Sequence, residues 1–245
     1  MPDLAGAYHD ARLAMTALAR DAGDEANDTV VPACPEWTVR DLIAHVTSIA
    51  SDLAVGKMPS DLNLIAFWDD DMSRRREEFI DDALARRSDK TVEQLLDEWD
   101  TAATRLEAMI RGEEPFPSAS PPLVEWIVVT DVGQHLQDLQ GALGKTEYRD
   151  ALATGLSLRS YVEGMRFRAA HDKLPALRIR AGTREWVIGE GEPVATVSGD
   201  PFELARASSG RRSPDQIRAL NWDGDPEPFM PLFYPYGLRE SALVE

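Results

Sequence analysis

The sequence predicts an α plus α+β architecture: an N-terminal four-helix bundle over residues 1–165, then a small α+β domain over residues 166–245. Three observations predict it. The chain has 245 residues, more than one ordinary domain needs. Its first two-thirds repeats apolar residues at the helical period. After "ALATGLSLRSYVEGMRFRAAH" the texture changes, and "ALRIRAG" and "REWVIGE" alternate apolar with polar residues.

The first helix spans residues 3–23, with Leu4, Tyr8, Leu13 and Leu18 at mostly helical spacing. "DTVVPACPEW" reads as an extended connector punctuated by Pro32 and Pro35. Thr38 and Asp41 form a capping box and start a second helix from about Val39 to Val55. Its apolar face is Leu42, Ile43, Val46, Ile49 and Leu53. "LNLIAFW" and "EEFIDDALARR", within residues 62–88, are helical in part. A third main helix runs from Thr91 to Ile110 and is closed by Gly112. The prolines of "EEPFPSASPP" make a loop. The fourth main helix, Leu123 to Leu143, ends at Gly144 and is apolar nearly all round in "LVEWIVV", which marks it as central.

In the smaller domain a hairpin forms around the Gly-Thr turn, and "EPVATVSGD" is a third strand. "DPFELARASSG" is a short helix starting at Asp200 with Pro201 in its first position. "IRALNWDGD" reads as a fourth strand and "PFMPLFYPYG" as a proline-broken tail.

Charge narrows the function classes. The formal net charge is −17, which repels phosphate backbones and anionic membranes. The densest basic run, "SRRREE", is answered by neighbouring acids and reads as a solvated helix face. No nucleic-acid or membrane partner is expected. The single cysteine excludes an internal disulfide, and no apolar run approaches the ~20 residues of a membrane span. A cytoplasmic location is the expectation.

The four histidines carry the chemical signal. "DVGQHLQD" puts Asp131, His135 and Asp138 on one face of the fourth helix. If the second helix packs beside it, His45 converges on Asp131 and His135. Two imidazoles and one carboxylate are a common divalent-metal set, and three protein ligands leave a position open. The same spacing also arises on solvated helix faces. Against that, a charged residue in a nearly apolar helix is costly unless paired or metal-bound. His9 and His171 have no partner pattern and read as structural or exposed.

"CPEWTVRDLIAHV" and "TDVGQHLQDLQGALG" resemble, in this order and about 90 residues apart, the two signatures of the mycothiol-dependent maleylpyruvate isomerase family. That family is a branch of the DinB-like metal-binding four-helix bundles. "WVIGEGEPVATVSGDPFELARASSGRR" is similar to its small sterol-carrier-protein-like domain. The resemblance implies that His45, Asp131 and His135 bind a divalent metal, zinc being the usual ion. It implies mycothiol as thiol cosubstrate, a small electrophilic substrate and a monomer. Position 131 departs from the family, whose carboxylate is commonly glutamate. Asp138 is a candidate for orienting a metal-bound histidine and equally for a helix-surface charge. Cys34 and Trp37 are the candidates for cofactor contact, beside their plainer packing roles. Arg211 and Arg212 are candidates for a substrate carboxylate or for solvent-facing helix-end charges.

The function implied is a metal-dependent, mycothiol-using isomerase or S-transferase, in which a metal-bound thiolate attacks an electrophile. A nonenzymatic thiol- or ligand-binding stress protein and a metal-dependent hydrolase are the rival readings.

Overall fold

The computed structural model describes residues 2–57, 70–118 and 120–245. "LNLIAFW" falls outside them. Helix α1 (Leu4–Ala22) is capped by Asp3, whose carboxylate accepts from the Gly6 amide at 2.8 Å. The segment read as a connector pairs with itself: β1 (Val30–Val31) and β2 (Cys34–Thr38) form an antiparallel ribbon, Val31 opposite Cys34. With Pro32 and Ala33 as the turn, the chain doubles back and its amides find ladder partners.

Helix α2 (Val39–Ala54) begins at the predicted capping box: the Asp41 amide donates to Thr38 Oγ1 at 3.2 Å and the Thr38 amide to Asp41 Oδ2 at 3.0 Å. Helix α3 (Asp70–Ala85) packs on α2. Helix α4 (Val92–Ile110) starts at a second capping box, Thr91 with Gln94. Helix α5 (Val124–Leu143) ends on Gly144, left-handed at φ 64°. Helix α6 (Leu152–His171) follows. Helices α1, α2, α4 and α5 share one core containing Met15, Leu42, Leu53, Trp99, Leu106 and Leu136. Trp99 donates its indole hydrogen to the Tyr8 hydroxyl inside that core, at 2.8 Å.

A second core holds Leu158, Val162 and Met165 of α6 together with strand and tail residues. Leu156, half a turn earlier, still belongs to the first core, so α6 is a beam common to both. The sheet has strand order β4-β3-β5-β6, from β3 (Pro175–Ala181), β4 (Arg184–Ile188), β5 (Glu190–Gly199) and β6 (Asn221–Asp223). The β3–β4 and β5–β6 pairs are antiparallel and β3–β5 is parallel. Helix α7 (Pro201–Ser208) has Asp200 as its cap and Pro201 in its first turn. The predicted fourth strand is much shorter than read. Ser213 and Gln216 form a capping box that turns Pro214–Arg218 into helix α8, leaving only Asn221–Asp223 extended. A 3₁₀ segment, Glu227–Phe233, seals the second core with Phe229 and Phe233.

Two glycines of α5 set what can approach it. A Cβ on Gly133 would lie 2.5 Å from Ser157 Oγ and 2.7 Å from the Ala153 carbonyl, so α5 and α6 cross in near backbone contact. A Cβ on Gly141 would lie 2.9 Å from Glu245 Oε2, so the tail reaches α5 at that position. No helix among the described residues is long and apolar enough to cross a membrane.

Candidate metal centre

The capping box fixes where α2 starts, and seven residues later α2 delivers His45 against α5. His45 Nε2 lies 3.1 Å from Asp131 Oδ1, and His135 Nε2 lies 3.5 Å from the same oxygen. Asp131 and His135 stand one turn apart on one face of α5. One donor atom from each of the three residues falls within 4.8 Å of the other two. A tetrahedral ion with nitrogen and oxygen ligands at ~2.0–2.2 Å would separate its donors by roughly 3.3–3.5 Å, so this spacing suits one. Aspartate is long enough to reach both imidazoles despite being one methylene shorter than glutamate.

Trp37, the last β2 residue before the cap, roofs both imidazoles. Its ring centroid is 4.8 Å from that of His45 and 5.7 Å from that of His135. The imidazoles meet edge to face at 4.8 Å. The sequence offers Trp37 for cofactor contact or for packing; the ring packs on the two histidines themselves.

Behind His135 the site is a buried ion network. His135 Nδ1 lies 2.9 Å from Asp138 Oδ2. Asp138 Oδ1 accepts from Arg206 Nη2 at 2.7 Å, and Oδ2 from Arg211 Nη2 at 3.1 Å. Asp138 and Arg206 are 1% and 0% exposed, which rules out the helix-surface reading of Asp138. A carboxylate on Nδ1 holds that nitrogen as the N–H and turns Nε2 toward Asp131 and His45. His45 has no such support: its Nδ1 is buried without a hydrogen-bond partner among the described residues.

The electrostatics follow from these contacts. Burial lowers the pKa of His45, which stays neutral. Burial also disfavours charge on His135, but the Asp131 and Asp138 carboxylates outweigh it and raise its pKa to about 9. Burial opposes ionisation of Asp131, yet the flanking His45 and His135 imidazoles hold it well below the usual carboxylate range. Asp138 is likewise ionised: burial works against it, and the Arg211 and Arg206 guanidiniums prevail.

Cys34 is half-buried, its Sγ 3.7 Å from Asp138 Oδ2. Burial, and then Asp138, push its thiol up to about 12, so it is a protonated donor rather than a nucleophile. Cys34, His135 and Asp138 also bring donor atoms within 4.8 Å of one another. Two guanidiniums already occupy Asp138, and their charge opposes a cation there.

The two adjacent arginines separate. Arg211 points into the network and its guanidinium carbon sits 5.4 Å from the Tyr236 ring centre. The Tyr236 hydroxyl meets that of Tyr161 on α6 at 2.8 Å. Arg212 turns away from the imidazoles, pairing with Glu203 at 2.9 Å and Glu245 at 2.8 Å. Both arginines are buried, so neither is the solvent-facing charge that a helix end suggests. His9, outside the cluster, meets Glu107 at 3.0 Å, and His171 is exposed beside Asp172.

Sequence reasoning missed both Arg206 and Glu245. The one signal for Arg206 is its place one turn after Phe202 on the buried side of α7. Glu245 has none, because its partners come from positions 206 and 212.

Residues 8–140 match the family model described as mycothiol maleylpyruvate isomerase N-terminal domain. Among solved structures, a histidine-to-alanine mutant of the mycothiol-dependent maleylpyruvate isomerase is similar in fold: TM-score 0.56 at 18% identity, covering 91% of this chain and 93% of that one. The unsubstituted enzyme gives TM-score 0.53 at the same identity and coverage. No curated protein gives a significant match. With more than half its length matched, and with the paired helical signatures folded against each other as described, the chain belongs to the mycothiol maleylpyruvate isomerase N-terminal domain family.

Proposed function

We propose that this protein is a metal-dependent enzyme that uses a low-molecular-weight thiol, mycothiol by family, to isomerise or S-transfer to a small conjugated electrophile. The observation that carries the reading is the convergence of His45 Nε2, Asp131 Oδ1 and His135 Nε2 on one point beneath Trp37. His45, Asp131 and His135 would hold the ion, and zinc suits this nitrogen and oxygen set. A divalent ion held there would supply Lewis acidity that lowers the pKa of a bound thiol.

The remaining work falls to the chain. Asp131 supplies negative charge between two imidazoles. Asp138 fixes the His135 tautomer and ring orientation and leaves Nε2 as the nitrogen that faces the ion site. Trp37 excludes water from one side of the imidazoles. Arg211 presents a guanidinium beside Tyr236 and Tyr161, where a substrate carboxylate can pair with it. Cys34 stays a thiol and leaves the nucleophilic role to the cosubstrate. Arg212 holds α7 and the tail together.

The test is consumption of maleylpyruvate, or of a generic electrophile, by metal-loaded protein with and without added mycothiol. Thiol-dependent turnover is expected. Turnover without thiol would mean hydrolysis by activated water, and thiol binding without turnover would mean a binding protein.

A further inference from the structure

The buried network behind His135 does not end at Asp138. Arg206 Nη2 donates to Asp138 Oδ1 at 2.7 Å and to Glu245 Oε2 at 2.8 Å, while Arg206 Nε donates to Glu245 Oε1 at 2.6 Å. The chain Glu245–Arg206–Asp138–His135 is therefore continuous, and Glu245 grips Arg206 with both oxygens. The glutamate side chain is 4% exposed although it lies in a tail beyond the last strand. Two further features serve this placement. Gly141 leaves room for the Glu245 carboxylate against α5. Arg149 donates to the Glu245 carbonyl and holds the backbone there.

We infer that Glu245 is a positioning residue for the metal centre, acting through Arg206 on Asp138 and so fixing the His135 imidazole. The charges explain why it is needed. Asp138 faces two guanidiniums, Arg206 and Arg211, within hydrogen-bond distance. Alone, it would be drawn toward them and away from His135. Glu245 takes up the Arg206 Nε and shares Nη2, so Arg206 engages only Asp138 Oδ1 and leaves Oδ2 to His135 and Arg211. Without Glu245, a buried Nε–H loses its acceptor and an uncompensated positive charge stands two bonds of the relay from the site. The tail thereby couples the small domain to the helical centre. The consequence for metal affinity rests on the metal-site reading above; the consequence for the imidazole does not.

The experiment compares wild type with Glu245→Ala, Glu245→Gln and Glu203→Ala, the last removing a partner of Arg212 that does not touch Arg206. With four histidines in the chain, imidazole nitrogen NMR of the metal-free protein resolves each ring. Glu245→Ala should shift the His135 resonances and leave His9 and His171 in place. Zinc affinity, by competition with a chromophoric chelator, should fall about 10-fold or more, the usual scale for losing outer support of a ligand. Glu245→Gln keeps an acceptor and should recover part of both effects, and Glu203→Ala should show neither. Unchanged His135 resonances in folded Glu245→Ala would overturn the relay. Should Glu245→Ala fail to fold, unchanged resonances in Glu245→Gln together with wild-type zinc affinity would do so. If wild type itself takes up no ion, the metal-site reading fails while the imidazole spectra still decide the relay.

Discussion

His135 Nδ1 lies 2.9 Å from Asp138 Oδ2, both side chains buried on one face of α5. Asp138 also balances two buried guanidiniums, so it is both a tether for the imidazole and the anion that makes Arg206 and Arg211 tolerable. Asp138→Asn should destabilise the protein by about 3–5 kcal/mol in urea unfolding, the cost of breaking a buried ion pair from one side. Asp131→Asn removes a partly exposed carboxylate and should cost less stability while abolishing metal uptake.

The metal-free protein should lose stability as pH rises from 6.5 toward 9. His135 has its pKa raised from 6.5 to about 9 on folding: burial opposes this, and Asp131 and Asp138 overcome it. A raised folded pKa contributes stability that is fully present below 6.5 and gone above 9. Zinc affinity should move oppositely, rising over the same window because the Nε2 proton must leave before an ion can bind. Thermal melts and chelator competition at several pH values check both slopes; His135→Gln should flatten the stability slope and abolish zinc uptake.

Cys34 should be nearly inert. With its thiol pushed up to about 12 by burial and Asp138, alkylation at pH 8 should run at least ~100-fold slower than for free cysteine. Cys34→Ala should keep thiol-dependent turnover within about threefold, since a methyl-sized packing change is mild. Iodoacetamide labelling followed by mass spectrometry reads the first outcome.

Arg211 and Arg212 should divide cleanly. Arg211→Ala should raise KM for carboxylate-bearing electrophiles more than for neutral ones, because a guanidinium fork is lost from beside Tyr236. Arg212→Ala should leave that ratio unchanged and lower the unfolding midpoint, because its partners are Glu203 and Glu245.

Gly133→Ala tests the crossing of α5 and α6. Its Cβ would sit 2.5 Å from Ser157 Oγ and 2.7 Å from the Ala153 carbonyl. The helices must separate, at a cost of about 1–3 kcal/mol. Because Gly133 lies between Asp131 and His135, zinc affinity should fall with stability.

What the sequence discloses depends on how local each cause is. The Thr38–Asp41 box, the left-handed Gly144 and the Asp200–Pro201 start are decided by residues within one turn, and each stands in the structure where its pattern puts it. His45 with "DVGQH" is legible because a helix fixes which residues share a face. The rest depends on partners distant in sequence. No local pattern says that Arg206 turns inward to Asp138, 68 positions earlier, or that Glu245 follows it. The β1–β2 ribbon is too short for an alternation signal, and the Ser213 capping box displaces a strand that hydrophobicity alone suggests.

In the proposed metal centre His45, Asp131 and His135 together hold one divalent ion. Its most direct test is metal analysis of purified wild type beside His45→Ala, Asp131→Ala and His135→Ala, with circular dichroism to establish folding. About one ion per wild-type chain and none in each folded variant is the expected result. A metal-free wild type, or an Asp131→Ala variant that keeps its ion at wild-type affinity, would contradict it.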